Sequence, residues 1–361
     1  MKTAAQTTRR ALVIGAVAMM MAAALLLSGC TSNAGGQGAK SAANGGKPKT
    51  RQLTLVAYSI PEAAYKKIIP AFQADWKNKT GEDVQFTESY GGSGSQARAV
   101  IDGLEADIVH LAMEPDVEKI SKAGLIEPGW QQRTKDNGIP TTSLIVLGVR
   151  SGNPKRIQDW ADVSKPGVGV ITPDPKTSGG AKWNLLASYG SVSLSGGTDK
   201  QASDQVLGLY KNAVVLDKSA RDASNTFLKK GLGDVALLWE SDANIAKAEG
   251  AKFDVVVPKS TILAETAATV VDAQVDKDGN RDVAEAFVNF LFTPEAQKAF
   301  AEAGLRPVDT DVLSQFASTF PKPAGRLFTI ADFGGWKQAE PTFFGDSGLY
   351  SKIEAAVAAG K

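Results

Sequence analysis

Short apolar segments typical of β-strands alternate with amphipathic segments typical of helices, and this alternation limits the fold of the chain more than any other feature. Residues 52–57 predict a first strand, and Pro61 opens a helix with apolar positions at helical spacing. Residues 83–87 predict the next strand, and the pattern recurs as far as Ala303. The segment 143–150 is apolar almost throughout, which suits the middle of a sheet or a crossover between lobes. The alternation predicts an α/β fold of mostly parallel sheets flanked by helices.

The N-terminal residues follow a different pattern. Three basic residues precede an uncharged run of apolar residues and glycine over positions 11–27, which is the order of a bacterial secretory signal. Leu27-Ser28-Gly29-Cys30 then resembles the lipobox of bacterial lipoproteins, in which the residue matching Cys30 becomes the lipid-carrying N-terminus. A membrane anchor is the alternative, because the apolar run is only slightly short of a spanning helix. The pair Arg9-Arg10 also leaves twin-arginine export open.

We therefore expect a signal peptide over residues 1–29 and a flexible linker over residues 30–50, which are rich in small and polar residues. The rest, about 310 residues, is long enough for two lobes that each bury a core. The predicted signal peptide contains three of the 40 Lys and Arg residues and none of the 39 Asp and Glu residues. The mature chain therefore has 37 basic and 39 acidic residues, which gives a net charge of −2. This charge predicts no nucleic-acid partner.

The single cysteine and the single histidine exclude several kinds of chemistry. Cys30 is the only cysteine, so the mature fold has no disulfide and no catalytic cysteine. His110 is the only histidine, which removes most zinc sites and Ser-His-Asp catalysis. Its apolar surroundings in sequence predict a histidine that is buried or lies at a sheet edge, without a chemical role. Glu88, Glu240 and Glu265 are too scattered for an acid/base pair. We expect no catalytic residue, no metal and no cofactor.

Two glycine-rich turns, at residues 91–94 and 177–180, each lie between a predicted strand and a predicted helix. Glycine lets a ligand approach the main-chain N–H groups closely, and a helix N-terminus adds unpaired N–H donors and about half a positive charge. Such a turn binds an anion without a basic side chain. Ser93 and Ser178 add hydroxyl donors. Neither turn matches a nucleotide phosphate loop or a dinucleotide fingerprint, so the pattern predicts an anion without naming it.

The wider sequence around both turns resembles the periplasmic sulfate-binding proteins. Residues 170–184 (VITPDPKTSGGAKWN) carry the signature of that family, and five further segments match in order and spacing. These are residues 90–96 (YGGSGSQ), 219–221 (SAR) followed by 225–227 (NTF), 233–240 (GDVALLWE), 263–265 (LAE) and 333–336 (FGGW). The resemblance extends from about Leu53 to about Ile353. It implies a two-lobe type II periplasmic-binding-protein fold with a hinge between the lobes.

The resemblance also implies which residues bind the ligand. In the family, sulfate accepts hydrogen bonds from serine hydroxyls, from backbone N–H groups at helix starts and from one indole N–H. The matching residues in this chain are Ser93, Ser178, Gly179, Gly180, Ala220 and Trp239. Arg221 matches an arginine that supports the site from behind without touching the anion.

Two positions depart from the family pattern. The aspartate that follows the first strand in enteric members is replaced by Ser59, which we include among the ligand contacts, and a lysine of the first turn is replaced by Ser95. The first change leaves open how the edge of the cleft closes and whether thiosulfate is preferred. The second removes a positive charge near the site. Thiosulfate, or another tetrahedral oxyanion such as molybdate, is therefore the alternative ligand.

The chemistry of the implied donors agrees with sulfate. Sulfate is fully ionised near neutral pH, so each of its oxygens only accepts hydrogen bonds, and backbone N–H groups, hydroxyls and an indole N–H can supply them. Phosphate still carries a proton near neutral pH, and a phosphate-selective site must offer that proton an acceptor such as aspartate. None of the six matched positions is a carboxylate.

We therefore predict an exported monomer, lipid-anchored through Cys30, that closes around sulfate and docks on the membrane permease of an ABC importer. Residues 51–142 and 262–361 are expected in the first lobe and residues 143–261 in the second, with a hinge near Thr141 and Thr261. A further alternative is a sensory subunit that binds sulfate and passes the signal to a receptor instead of delivering the ion to a permease.

An exported lipid-anchored hydrolase is the alternative from another class, disfavoured because the chain has one histidine and no Gly-x-Ser-x-Gly elbow. Trp183 and Trp336 are expected in packed positions.

Overall fold

The structure is a computed structural model that describes residues 50–360. The predicted signal peptide, Cys30 and nearly all of the predicted linker lie outside the described residues. The strands are β1 (Thr50–Tyr58), β2 (Asp83–Gly91), β3 (Ile108–Leu111), β4 (Thr141–Val149), β5 (Val170–Pro173), β6 (Ala213–Asp217), β7 (Val235–Trp239), β8 (Asp254–Val256), β9 (Thr261–Glu265), β10 (Ala267–Val270), β11 (Arg306–Pro307) and β12 (Leu327–Phe328).

The α-helices are α1 (Glu62–Thr80), α2 (Ser93–Ile101), α3 (Glu114–Lys122), α4 (Trp160–Val163), α5 (Gly179–Ser193), α6 (Asp199–Lys211), α7 (Ala220–Leu228), α8 (Glu240–Ala248), α9 (Asp272–Asp278), α10 (Arg281–Phe290), α11 (Pro294–Glu302), α12 (Thr310–Gln315), α13 (Trp336–Ala339) and α14 (Leu349–Ala359). Short 3-10 helices lie at Trp130–Arg133, Lys135–Gly138 and Ile330–Phe333, and one π-helical turn at Glu340–Phe344. Within residues 50–360, none of the helices has both the length and the apolar character that a membrane span requires.

The first sheet has the strand order β10-β3-β1-β2. Its central strand β1 pairs in parallel with β2 and β3, and β10 pairs antiparallel with β3. Leu53, Leu55 and Ala57 alternate along β1 and are buried in one core with the apolar side of α1. Because parallel strands end at the same edge of a sheet, the segments that follow Tyr58 and Gly91 lie side by side there.

The second sheet has the order β12-β9-β4-β7-β5-β6, and β8 and β11 also pair with β4. Strand β5 pairs in parallel with β6 and β7, whereas β4 pairs antiparallel with β7, β8, β9 and β11. Strand β4 is buried along nearly its whole length, as its apolar sequence predicts. The carboxyl ends of β5, β6 and β7 lead into α5, α7 and α8, so the starts of these three helices lie at one edge of the sheet.

The chain passes between the two sheets beside the start of β4. Thr142 pairs with Glu265 at the end of β9, and the Thr266 hydroxyl donates to the Thr141 carbonyl oxygen at 2.9 Å. Strand β10 begins immediately afterwards and joins the first sheet. The crossover therefore lies close to Thr141, where the sequence predicts a hinge, and the hinge motion itself stays a prediction.

His110 links this crossover to the first sheet. It is fully buried in β3, with its Nδ1 atom 2.7 Å from the Tyr65 hydroxyl and its Nε2 atom 3.0 Å from the Thr266 hydroxyl. Burial lowers the pKa of His110 to about 3, so the imidazole is neutral at neutral pH. Of the two predicted positions, buried or at a sheet edge, the structure has the buried one, and both ring nitrogens have hydrogen-bonding partners.

The C-terminal segment packs on helices of the second sheet. The Trp336 ring meets the Trp183 ring edge-on at a centroid distance of 4.8 Å, and the rings of Tyr350 and Tyr210 lie 5.3 Å apart. Trp183 and Trp336 are both buried, as predicted. Helix α13 thus contacts α5, and α14 contacts α6. These contacts favour assigning residues 336–360 to the second lobe, whereas the sequence predicts them in the first. The division into lobes stays a prediction.

Candidate functional site

Four helices begin at one cleft between the two sheets. Helix α2 follows a strand of the first sheet, and α5, α7 and α8 each follow a strand of the second. The cleft has a volume of about 210 Å³ including its open mouth. Its lining consists of Tyr58, Ser59, Ile60, Gly91, Gly92, Ser93, Ala112, Ser178, Gly180, Ala220 and Trp239. These lining residues are all uncharged, so attraction of an anion to the cleft would depend on N–H groups and helix N-termini.

Six of the seven ligand residues predicted from the sequence meet in this lining, namely Ser59, Ser93, Ser178, Gly180, Ala220 and Trp239. At Gly180, a Cβ atom would lie 3.1 Å from Trp239 Nε1 and 3.4 Å from Ser178 Oγ. Only a residue without a side chain leaves the space in which these donors converge. Gly179 is not part of this lining and lies against the first sheet unit instead. A Cβ atom at Gly179 would lie 3.1 Å from the Sδ atom of Met113, a residue that follows β3. Direct contact of all these residues with a ligand stays a prediction.

The N-terminus of α5 presents backbone donors to the cleft. Ser178 is the N-cap residue, 3% exposed, and its side chain does not cap the helix. The first N–H groups of a helix have no partner within it, which applies here to Gly179 and Gly180. The first turns of α2 and α5 contain no acidic residue, so no carboxylate of their own offsets the positive end of either helix dipole.

Ser93 has a hydrogen-bonding pattern that the sequence does not reveal. Its hydroxyl donates to Asp116 Oδ2 at 2.6 Å and accepts from the Ala112 N–H at 3.0 Å. A hydroxyl has one hydrogen, and this one is used on Asp116. In this arrangement the donor that Ser93 can offer an anion is its backbone N–H at the start of α2, rather than the hydroxyl expected from the family. Asp116 is 1% exposed and is paired with Lys119 Nζ at 2.8 Å.

Trp239 and Tyr58 form the apolar wall of the cleft. The Trp239 indole is 1% exposed, and its Nε1 lies 3.5 Å from the Gly180 carbonyl oxygen, a long contact that leaves the N–H available to a closer acceptor. The Tyr58 ring lies 5.8 Å from the Trp239 ring, and burial raises the pKa of Tyr58 well above its usual value. Tyr58 was not predicted as a cleft residue from the sequence, although its position at the end of β1 was an available signal.

Arg221 lies behind the cleft. Its guanidinium Nη1 is 3.4 Å from Asp242 Oδ1, and Ser224 donates to the other oxygen of the same carboxylate. Burial raises the pKa of Asp242, and the nearby Arg221 works in the opposite direction. Arg221 does not belong to the cleft lining. This position agrees with the supporting role implied by the family resemblance, a role that stays a prediction.

Comparison with known proteins gives consistent matches. The family model described as "Bacterial extracellular solute-binding protein" matches residues 53–306. A sulfate-binding protein of Synechococcus elongatus is 48% identical over 99% of this chain and 99% of its own length. A thiosulfate-binding protein of Pseudomonas aeruginosa is 37% identical over 86% of this chain and 95% of its own length. The solved structure of the sulfate-binding protein SubI from Mycobacterium tuberculosis is 40% identical, with a TM-score of 0.75, and the match covers 81% of this chain and 99% of that one. The predicted fold class is confirmed.

Proposed function

Because this chain belongs to the bacterial extracellular solute-binding proteins, among the sulfate-binding proteins, we propose that it captures one sulfate ion in the described cleft and delivers it to the permease of an ABC importer. The observation that carries the proposal is the uncharged cleft at which four helices begin. Donors from both sheets would then hold the ion, so that sulfate stabilises the closed arrangement of the two lobes. The protein binds and releases the ion without chemical change.

The energetics favour a closed cleft with many donors. Removing an ion from water costs on the order of 20 kcal/mol in an idealised low-dielectric medium. Charge-assisted hydrogen bonds at roughly 1.5–3 kcal/mol each, together with the dipoles of several helices, offset that cost. No single donor suffices, so each is expected to carry a measurable share of the affinity. Buried donors are also screened little by salt.

Selectivity against phosphate follows from the acceptors near the cleft. The Asp116 carboxylate is the acid nearest to Ser93, and its oxygens are already bonded to Ser93 and Lys119. The lining offers no carboxylate that would accept the proton of phosphate. Thiosulfate is the second candidate, because Ser59 lines the cleft, and the family resemblance implies an aspartate at this position in enteric members.

Calorimetric titration of a soluble form that begins at Lys49 tests the proposal. We expect sulfate to bind tightly, with an affinity that changes less than about threefold when sodium chloride is raised, because the donors are buried. Phosphate is expected to bind at least roughly tenfold more weakly, because its proton would have no acceptor. Absence of heat with sulfate, or tighter binding of phosphate, would contradict the function. Tighter binding of thiosulfate, with molybdate as a further competitor, would favour the second candidate.

We also propose that the protein is held at the outer face of the cytoplasmic membrane by a lipid on Cys30. The proposal is supported by the order of charged segment, apolar segment and Leu-Ser-Gly-Cys at the N-terminus. Cells supplied with a labelled fatty acid should label the natural protein and leave the Cys30→Ser variant unlabelled, with Ser28→Ala as a labelled control. Equal labelling of the Cys30→Ser variant would exclude this anchor.

A further inference from the structure

The backbone of Ala112 is hydrogen-bonded to the first glycine-rich turn and to helix α5, which follows the second. Its N–H donates to Ser93 Oγ at 3.0 Å, and its carbonyl oxygen accepts from the Trp183 indole Nε1 at 2.8 Å. Ala112 follows β3 of the first sheet, whereas Trp183 lies on α5, which follows β5 of the second sheet. The bond from Trp183 therefore crosses from one sheet unit to the other, directly beside the cleft.

Helix α5 is shaped to fit against this part of the first sheet unit. Gly179 and Trp183 are four residues apart, so they lie on the same face of α5. At Gly179 a Cβ atom would lie 3.0 Å from Met113 Cγ and 3.2 Å from the Ala112 Cβ. Glycine lets the helix approach the Ala112–Met113 segment closely enough for the Trp183 bond to form. Trp183 is 0% exposed, and its ring is held edge-on against Trp336.

We propose that Trp183 is a positioning residue that holds the cleft closed and thereby slows release of the bound anion. Trp183 is not part of the cleft lining, so it acts through Ala112 and not by contact with the ligand. Opening of the cleft separates the two sheet units, which breaks the bond between the indole N–H and the Ala112 carbonyl. The bond thus stabilises the closed form alone. This inference rests on the proposed sulfate-binding function.

A hydrogen bond at the protein surface also joins the two sheet units in the closed form. Arg98 on α2 is exposed, and its Nη1 donates to the Lys176 carbonyl oxygen at 3.3 Å. Arg98 belongs to the first sheet unit and Lys176 to the turn that precedes α5. This bond also crosses the cleft, but its exposure to water makes it weaker than the buried bond from Trp183.

The test compares Trp183→Phe with Trp160→Phe. Trp160 is 1% exposed, and its Nε1 donates to the Ser260 carbonyl oxygen at 3.0 Å, with both residues on the second sheet's side. Each variant loses one buried indole hydrogen bond, but only Trp183→Phe loses one that crosses the cleft. Release of radiolabelled sulfate into excess unlabelled sulfate is measured, together with the dissociation constant by calorimetry.

We expect Trp183→Phe to bind sulfate roughly three- to tenfold more weakly, almost entirely through faster release, whereas Trp160→Phe keeps the natural release rate. A natural protein that binds no sulfate refutes the proposed function. A natural protein that binds sulfate, together with a Trp183→Phe release rate equal to that of Trp160→Phe, overturns this inference alone. If Trp183→Phe does not fold, Arg98→Ala decides: about twofold faster release supports the inference, and an unchanged rate overturns it.

Discussion

Replacing Ala220 with proline is expected to weaken sulfate binding by roughly ten- to hundredfold while leaving the folded protein as stable as before. Ala220 is the first residue of α7 and lines the cleft. Proline has no backbone N–H, so the substitution removes one predicted donor from the ion. A charge-assisted hydrogen bond contributes roughly 1.5–3 kcal/mol, which sets the size of the effect.

The backbone at this position accepts proline without strain. The first position of a helix is where proline is favoured, because its N–H would have no partner within the helix. The preceding residue, Ser219, has φ −142° and ψ 164°, in the extended region that a residue before proline prefers. The Ser219 hydroxyl accepts from the Asp222 N–H, and that cap is not affected by the substitution. Loss of affinity is therefore expected without loss of structure.

Two variants provide the controls for Ala220→Pro. Asp199→Pro places proline at the first position of α6, after Thr198 with ψ 158°, at an exposed position outside the cleft lining. Ala220→Ser changes the side chain and keeps the N–H. Calorimetry should give both controls affinities close to that of the natural protein, and thermal unfolding should show similar transition temperatures for all four proteins. Natural affinity in Ala220→Pro would show that this N–H does not bind the ion.

Replacing Arg306 with methionine is expected to lower the free energy of unfolding by about 3–5 kcal/mol at neutral pH. Arg306 lies on β11, and its Nε and Nη2 atoms donate to the two oxygens of Glu240 at 2.9 and 2.8 Å. The side chains are only 8% and 5% exposed. Methionine preserves much of the packing but leaves the Glu240 carboxylate buried without its partner. Glu240 directly follows Trp239, so this ion pair also fixes the backbone at one predicted ligand donor.

The expected pH dependence follows from the pKa of Glu240. Burial raises the pKa of Glu240, while the hydrogen bonds and charge of Arg306 lower it. Without Arg306 the pKa in the folded state rises further above its unfolded value. The folded variant then binds a proton more readily than the unfolded chain, so its stability increases as the pH falls through the raised pKa. The stability difference between Arg306→Met and the natural protein should therefore shrink from pH 8 to pH 5.

Urea unfolding of two further variants separates the buried charge from other effects. Arg306→Met combined with Glu240→Gln removes both charges and should recover much of the lost free energy. Arg326→Met breaks an exposed ion pair with Asp332, whose two side chains are 47% and 29% exposed, and should cost less than about 1 kcal/mol. A loss in Arg306→Met no larger than in Arg326→Met, or a difference independent of pH, would contradict the role given to the ion pair.

Local sequence patterns predicted most of the elements, and two of the differences have physical reasons. Strand β6 was not predicted, because it lies at the edge of its sheet and exposes Val214 (52%) and Leu216 (42%) to solvent. Its apolar residues therefore do not mark a buried face. The sequence at residues 269–273 predicts a strand over that segment, but β10 ends at Val270 because Asp272 begins α9. The antiparallel pairs around β4 depend on partners far along the chain, which periodicity does not identify.

The sequence by itself determined which chemical groups are available for catalysis, metal binding or anion binding. One cysteine and one histidine disfavoured cysteine catalysis, Ser-His-Asp catalysis and most zinc sites, the glycine-rich turns before helices indicated an anion, and the segments that resemble the sulfate-binding family indicated sulfate. These conclusions depend on residue identity and on local backbone preference, and both are properties of short segments. Ser93 and Ser178 were identified from the glycine-rich turns, whereas Ala220 and Trp239 were implied by the family resemblance, and the fold brings all four to one cleft.

Only the tertiary structure decided how each of these groups is used. The Ser93 hydroxyl is bonded to Asp116, Gly179 lies against Met113 and not in the lining, and Trp183 reaches across to Ala112. Each of these contacts joins residues from different elements, and the direction in which a side chain points across such a gap is set by packing. The sequence thus determined which donors the chain contains, and the packing of the two sheet units against each other decided which of these residues line the cleft.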